Sequence, residues 1–194
     1  MVDIVFINIP KVSPFTPQSG PAVLKAYLET QDISSLYLDW NRWLFNLCRN
    51  ETRYWDFGTS EGNQLQDIEF DRLWSKYITE IRDYFIKKIP ARAPFIGISL
   101  FSFESQHASG RVCLLLKELF PDKKIVIGGP GSNGVTKKFL NEGICDYSIP
   151  GDGERALVCL LQGQDHPGIN SYYIDRSLDM DNIPVGNFDD LDIN

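Results

Sequence analysis

Residues 128–134 read GGPGSNG and follow directly on the apolar run KIVI. A loop with so little side chain lets a phosphate or a flat ligand lie against main-chain N–H groups. A second edge of this kind closes FIGISLFSF (95–103), which carries hydroxyls at Ser99 and Ser102. A third is GDGE (151–154), where Asp152 and Glu154 fall at the start of a helical pattern. Carboxylates are favoured there by the helix dipole, so the two serve equally well as N-terminal charges or as ligand contacts. More sharply defined chemistries are missing. The glycines do not form the GxGxxG that follows a first strand, and neither GxxxxGK[ST] nor a GxSxG elbow occurs. His107 falls at a helix start and His166 in a polar loop, positions that read as structural rather than catalytic. Cys48, Cys113, Cys145 and Cys159 form neither CxxC nor CxxxCxxC. With two histidines in the chain, a zinc site is not expected, and the cysteines read as reduced thiols packed as small hydrophobes.

Such loops act together only if the fold brings them to one edge. DIVFINI (3–9) reads as a first buried strand, the Pro/Ser/Thr-rich loop 10–21 follows it, and 22–30 has helical spacing with Pro21 in the first turn. SSLYLDW (34–40), PFIGISLF (94–101), KIVIGG (124–129) and CDYSIPG (145–151) read as four further strands. Helices are expected over 102–120, capped by Ser102 or Ser105, over 134–143, closed by Gly143, and over 151–163. Between the second and third strands lies an enlarged crossover, 41–90, with helices at 41–48 and 65–89. On the longer helix Ile68, Leu73, Tyr77, Ile81, Tyr84, Phe85 and Ile89 form an apolar stripe. The many aromatics of 41–90 can wall a ligand site, but the preferred reading is core or interface. SYYIDR (171–176) suggests an extra edge strand, and 176–194 reads as a linker or tail after a domain of residues 1–175.

Strands of near-continuous Val, Ile and Phe alternating with helices predict an α/β fold. The expected architecture is a flavodoxin-like, doubly wound parallel sheet of five strands in the order 2-1-3-4-5. In that order the loops 10–20, 101–106, 129–134 and 150–154 share the carboxyl edge, where open sheets bind their ligands. The net charge of −7 and the dispersed basic residues argue against a nucleic-acid or membrane partner. The pairs Lys87-Lys88, Lys123-Lys124 and Lys137-Lys138 read as solvated surface. With no signal sequence and no membrane-length apolar run, a cytoplasmic location is expected.

The segments Gly20–Leu28, Gly97–Ser99, Ile125–Pro130, Asp146–Leu157 and Ile183–Asp192, in this order and spacing, carry a family likeness. Together they resemble the N-terminal cobalamin-binding domain of cobalamin-dependent radical S-adenosylmethionine enzymes. Corrinoid domains more widely show D-x-H-x-x-G after strand 1, S-x-L at strand 3 and G-G at strand 4. Here Ser99-Leu100-Phe101 takes the second place, with Phe for Leu, and Gly128-Gly129 the third. The first place reads Asn8-Ile9-Pro10-Lys11-Val12-Ser13, with Pro10 where a cobalt-binding His would stand. The radical branch of the family commonly lacks that His too.

The resemblance implies cobalamin bound base-off and His-off, in a radical enzyme that is a methyltransferase. Ser99, Ser102, Gly128, Gly129 and Pro130 would line the nucleotide tail and corrin. Ser13, Thr16, Gly151, Asp152 and Glu154 would meet the corrin's amide arms. Pro10, Phe101, Phe103, Pro150 and Gly153 complete the cofactor-contacting set. S-adenosylmethionine and a [4Fe–4S] cluster would belong to a radical S-adenosylmethionine domain outside this chain, joined in cis or in trans, since no CxxxCxxC is present. Two alternatives stay open. One is a non-catalytic interaction domain that kept the fold and lost the ligand. The other is a flavin or nucleotide protein, suggested by the Ser/Thr/Gly content of SPFTPQSG (13–20).

Overall fold

The computed structural model describes residues 1–56, 63–171 and 180–191. Five strands, β1 (Ile4–Asn8), β2 (Ser35–Leu38), β3 (Phe95–Ser99), β4 (Lys124–Gly128) and β5 (Tyr147–Ile149), form one sheet. Every pairing is parallel and the order is β2-β1-β3-β4-β5, the flavodoxin-like arrangement expected. Six α-helices connect and flank them: α1 (Ser19–Glu29), α2 (Trp40–Leu47), α3 (Asn63–Lys88), α4 (Gln106–Leu119), α5 (Thr136–Asn141) and α6 (Glu154–Leu161). The crossover from β2 to β3 is enlarged as expected, holding α2, a 3-10 turn at Thr52–Trp55 and α3.

Alternation along the strands divides the core in two. Val5, Ile7, Ile96, Ile98, Ile125 and Ile127 face one way and pack with Leu44 of α2, Leu73, Ile81 and Phe85 of α3, Val112 and Leu116 of α4 and Phe139 of α5. Ile4, Phe6, Tyr37, Val126 and Ile149 face the other way and pack with Ala22 and Leu28 of α1 and Ala156, Leu157 and Leu160 of α6. The aromatics of the crossover belong to the first core. Trp40 stacks at 5.5 Å on Phe85, Trp43 at 4.3 Å on Tyr84, and Tyr54 at 5.4 Å on Phe70. Phe57 lies outside the described residues.

Several local expectations are corrected. Ile68 is 61% exposed. It stands two residues before the buried Phe70, about 200° away around the helix, so it leaves the stripe that Phe70 and Leu73 begin. Neither Ser102 nor Ser105 caps α4 with its side chain. A 3-10 turn, Phe103–Ser105, runs straight into the helix and puts Ser105 in helical backbone (φ −81°, ψ −9°). A capping hydroxyl needs extended backbone to swing back over the first turn. Lys123 is buried rather than solvated, because its ammonium donates to the carbonyls of Pro90, Ala91 and Ala93 and locks the turn into β3. Gly143, at φ +66°, closes α5 as expected. The suggested strand at 171–176 lies, beyond Ser171, outside the described residues.

Both sheet edges are met mid-strand by a side chain. On β2 the Tyr37 N–H donates to the Asp190 carboxylate at 2.8 Å. On β5 the Ser148 N–H donates to Asn170 Oδ1 at 2.8 Å, and the Asn170 N–H returns a bond to the Ser148 carbonyl at 2.7 Å. Asp190 belongs to a segment that lies along α1. There Lys25 pairs with Asp190, and the Asn187 N–H donates to the Ala22 carbonyl at 2.9 Å. No helix among the described residues is long and apolar enough to cross a membrane.

Candidate functional site

The loops that leave β1, β3, β4 and β5 meet at the carboxyl edge and enclose a cavity of about 930 Å³. Its floor is the second face of the sheet, with Ile4, Phe6, Gly97, Val126 and Ile149, and its walls are the first turns of α1 and α6. Register sets the floor. Ser99 pairs with Gly128 and Gly97 with Val126, so two small residues, Ser99 and Gly128, lie side by side at the strand tips and the bare Gly97 lies further in. A Cβ on Gly97 would stand 2.8 Å from the Phe6 ring, which shows how the missing side chain leaves room for that ring beside the cavity.

Of the residues singled out in the sequence, Ser13, Thr16, Ser99, Phe101, Gly128, Gly129, Pro130, Gly151, Asp152, Gly153 and Glu154 line this slot. Pro10, Ser102, Phe103 and Pro150 do not. Pro10 and Pro150 are buried, whereas Phe103 is exposed and faces a different hollow, between α3 and α4. The bare tip of β4 has a reason inside the protein. Gly129 has φ +93°, and a Cβ there would lie 2.6 Å from the Leu100 carbonyl oxygen; at Gly131 it would lie 2.5 Å from that of Ser102. The Gly131 N–H also donates to the Leu100 carbonyl at 2.9 Å. These two glycines therefore let the tips of β3 and β4 press backbone to backbone.

The loop after β1 is held by groups the motifs did not reveal. Asn41, fully buried at the start of α2, donates through Nδ2 to the carbonyls of Val12 (3.2 Å) and Ser13 (3.4 Å). Its Oδ1 accepts from the Trp55 indole at 2.8 Å. Asn8 spans β1 and α2, donating to Asp39 at 2.7 Å and accepting from the Asn41 N–H at 3.4 Å. Asp39 in turn caps α2 by accepting from the Arg42 N–H at 3.1 Å. The residue in the motif's acidic place thus works as a structural tie. Asp39 is the one member of this network with a sequence signal, an acid just before a helical run.

The slot also holds unmet polar groups. Gln18 ends the β1 loop; its Oε1 accepts from Ser99 Oγ at 3.3 Å, while Nε2 is buried with no partner among the described residues. Glu154 Oε2 is likewise buried and unpartnered. Burial pushes the Glu154 carboxyl above its ordinary value, despite N–H contacts from its own residue and Gly153, and nearby Asp152 adds to the rise. Neither α1 nor α6 has a side-chain cap at its N-terminus. Burial also raises the thiols of Cys48 and Cys145 to about 12, as suits inert packing groups. His107 bonds Asp71 at 2.8 Å between α3 and α4, and His166 accepts from the Gly168 N–H at 3.0 Å; neither lines the slot.

No protein-family model and no curated protein matches the sequence. Solved structures do. The radical S-adenosylmethionine methyltransferase TsrM from Kitasatospora setae, with cobalamin and a [4Fe–4S] cluster bound, superposes with a TM-score of 0.53 and 19% identity over 87% of this chain and 29% of its own. The same enzyme with its tryptophan substrate and the S-adenosylmethionine analogue aza-SAM bound gives 0.51 and 20% over 86% and 28%. At these identities what the likeness shows is a shared flavodoxin-like fold, in a chain that spans less than a third of the enzyme it resembles.

Proposed function

We propose that this chain is the cobalamin-binding domain of a radical S-adenosylmethionine methyltransferase, holding the cofactor base-off with no protein imidazole on cobalt. The observation that carries the reading is the slot, which runs from the carboxyl tips of β3 and β4 along the sheet and between α1 and α6. Its features fit a nucleotide tail. The floor is low at Gly97, Ser99 and Gly128, the two helix starts carry no side-chain cap, and Gln18 Nε2 and Glu154 Oε2 lack partners among the described residues. In this reading Ser99, Gly128 and Gly129 hold the tail. Phe101, Pro130, Ser13, Thr16, Gly151, Asp152, Gly153 and Glu154 meet the corrin and its amide arms. Cobalamin, when bound, supplies a methyl group carried on cobalt. S-adenosylmethionine and the [4Fe–4S] cluster belong to a partner domain, in the same longer chain or a separate one. Pro10, and the positions of His107 and His166 away from the slot, support the absence of an imidazole ligand.

The test is to incubate the chain with hydroxocobalamin, desalt it and record the visible spectrum. Retained corrin absorbance with a base-off signature is expected. A spectrum of cobalt ligated by a protein nitrogen would overturn the His-off part. Retention of flavin mononucleotide instead would replace the reading with the flavin one. Retention of neither would favour a ligand-free interaction domain.

A further inference from the structure

Gln18 sits at the junction of the β1 loop and α1, in the N-cap position, yet its side chain does not cap the helix. It is held from two sides instead. Ser99 Oγ donates to its Oε1 at 3.3 Å, and the Tyr37 hydroxyl donates to its main-chain carbonyl at 3.3 Å. Tyr37 is itself fully buried and fixed through its N–H by Asp190. The carboxamide is thus oriented by β3 on one side, with its backbone tied to β2 on the other. What remains is Nε2, buried and with no acceptor among the described residues, on a side chain that lines the slot. A dry amide N–H is costly to leave unmatched. The same geometry constrains Ser99. Its single hydroxyl proton goes to Gln18, so toward the slot Ser99 offers lone pairs alone.

We infer that Gln18 is a ligand-binding residue, donating through Nε2 to an acceptor nitrogen or oxygen on the nucleotide end of the ligand, the donor role that Ser99 gives up by bonding Gln18. The inference rests on the cobalamin reading and deepens it, since it names the atom that reads the tail.

The experiment compares wild type, Gln18→Leu and Ser99→Ala for two corrinoids, cobalamin and cobinamide, which lacks the nucleotide tail. Dissociation constants are taken from visible absorbance, and thermal midpoints check that the variants fold as wild type does. Gln18→Leu keeps the bulk and removes the donor. It is expected to weaken cobalamin about tenfold and leave cobinamide unchanged. Ser99→Ala, which removes the anchor and the lone pairs that Ser99 turns toward the slot but keeps the Gln18 donor, is expected to weaken cobalamin less. Unchanged cobalamin binding by Gln18→Leu overturns the inference, as does an equal loss for both corrinoids. A larger loss in Ser99→Ala than in Gln18→Leu also overturns it, by returning the donor role to Ser99. A wild type that binds both corrinoids equally leaves the domain a corrin binder but overturns the role of Gln18. A wild type that binds neither removes the cobalamin reading and the inference with it.

Discussion

The two faces of the sheet are built from the same strands, one residue out of phase, and do opposite things. On the face covered by α2, α3, α4 and α5, β1, β3 and β4 contribute Val5, Ile7, Ile96, Ile98, Ile125 and Ile127, all essentially out of solvent. On the face covered by α1 and α6 the same strands contribute Ile4, Phe6, Gly97, Ser99, Val126 and Gly128. Branched side chains fill the first face to its helices. The second face loses side-chain volume at β3 and β4, and that loss is where the slot opens. Protein interiors are otherwise packed like crystals, so a hollow of this size beside a filled layer marks a place shaped for something else.

This contrast can be broken by mutation, starting where the effect should be greatest. Phe85 is fully buried under the packed face and stacks on Trp40. Phe85→Ala is expected to cost about 3–5 kcal/mol in urea unfolding. A loss below about 1 kcal/mol would mean that this face is not where stability resides.

A sharper comparison uses neighbours on β4. Ile127 points into the packed face and Val126 into the slot. Ile127→Phe should overpack its surroundings and cost about 1–3 kcal/mol. Val126→Phe has the slot to enter, so it should cost under about 1 kcal/mol while sharply reducing uptake of hydroxocobalamin. Equal costs for the two would erase the distinction between the faces.

Charge gives a third, smaller contrast. Glu154 on the slot wall has its carboxyl raised by burial, so the folded state holds that proton more tightly than the unfolded chain does. Between the ordinary glutamate pKa and the raised one the native state binds more protons, and stability falls as pH rises through that window. Below the window the group is neutral in both states and the penalty vanishes. Glu154→Gln should therefore flatten the pH dependence, gaining on wild type only above the ordinary glutamate range. Urea midpoints taken across that range would show it, and parallel curves would argue against it. The smallest effect belongs to the outer surface of the packed side, where Arg111 Nε meets Asp71 at 3.1 Å with both groups well exposed. Arg111→Ala should cost under about 1 kcal/mol in the same assay.

The architecture is legible because β1, β3 and β4, buried on both faces, are near-continuous apolar runs, whereas the shorter, more polar β2 and β5 are read from their places in the strand–helix alternation. What stayed hidden depended on contacts across the fold. Ile68 looked like one more member of the apolar stripe, and only the position of Phe70 two residues on shows that it turns outward. Lys123 looked like half of a surface pair until three carbonyls of the turn before β3 closed around it. The strand-tip residues could be placed at one edge from topology alone, and most of them do line the slot. Gln18 and Asn41 carry no motif, since their importance comes from β3, β2 and Trp55 arriving beside them. In the sequence the glycines of 128–134 read as openness to a ligand. Gly129 and Gly131 also answer to the closeness of Leu100 and Ser102, which no local pattern announces.

The side chains at the two sheet margins have a consequence for association between copies. An unpaired strand edge is a template on which another chain can add a strand, and β2 and β5 are short enough to offer few free donors. Asp190 occupies one of those donors on β2, and Asn170 occupies both the donor and the acceptor of Ser148 on β5. The sheet whose carboxyl edge opens into the slot thus carries, on each rim, a side chain where a second polypeptide would otherwise pair.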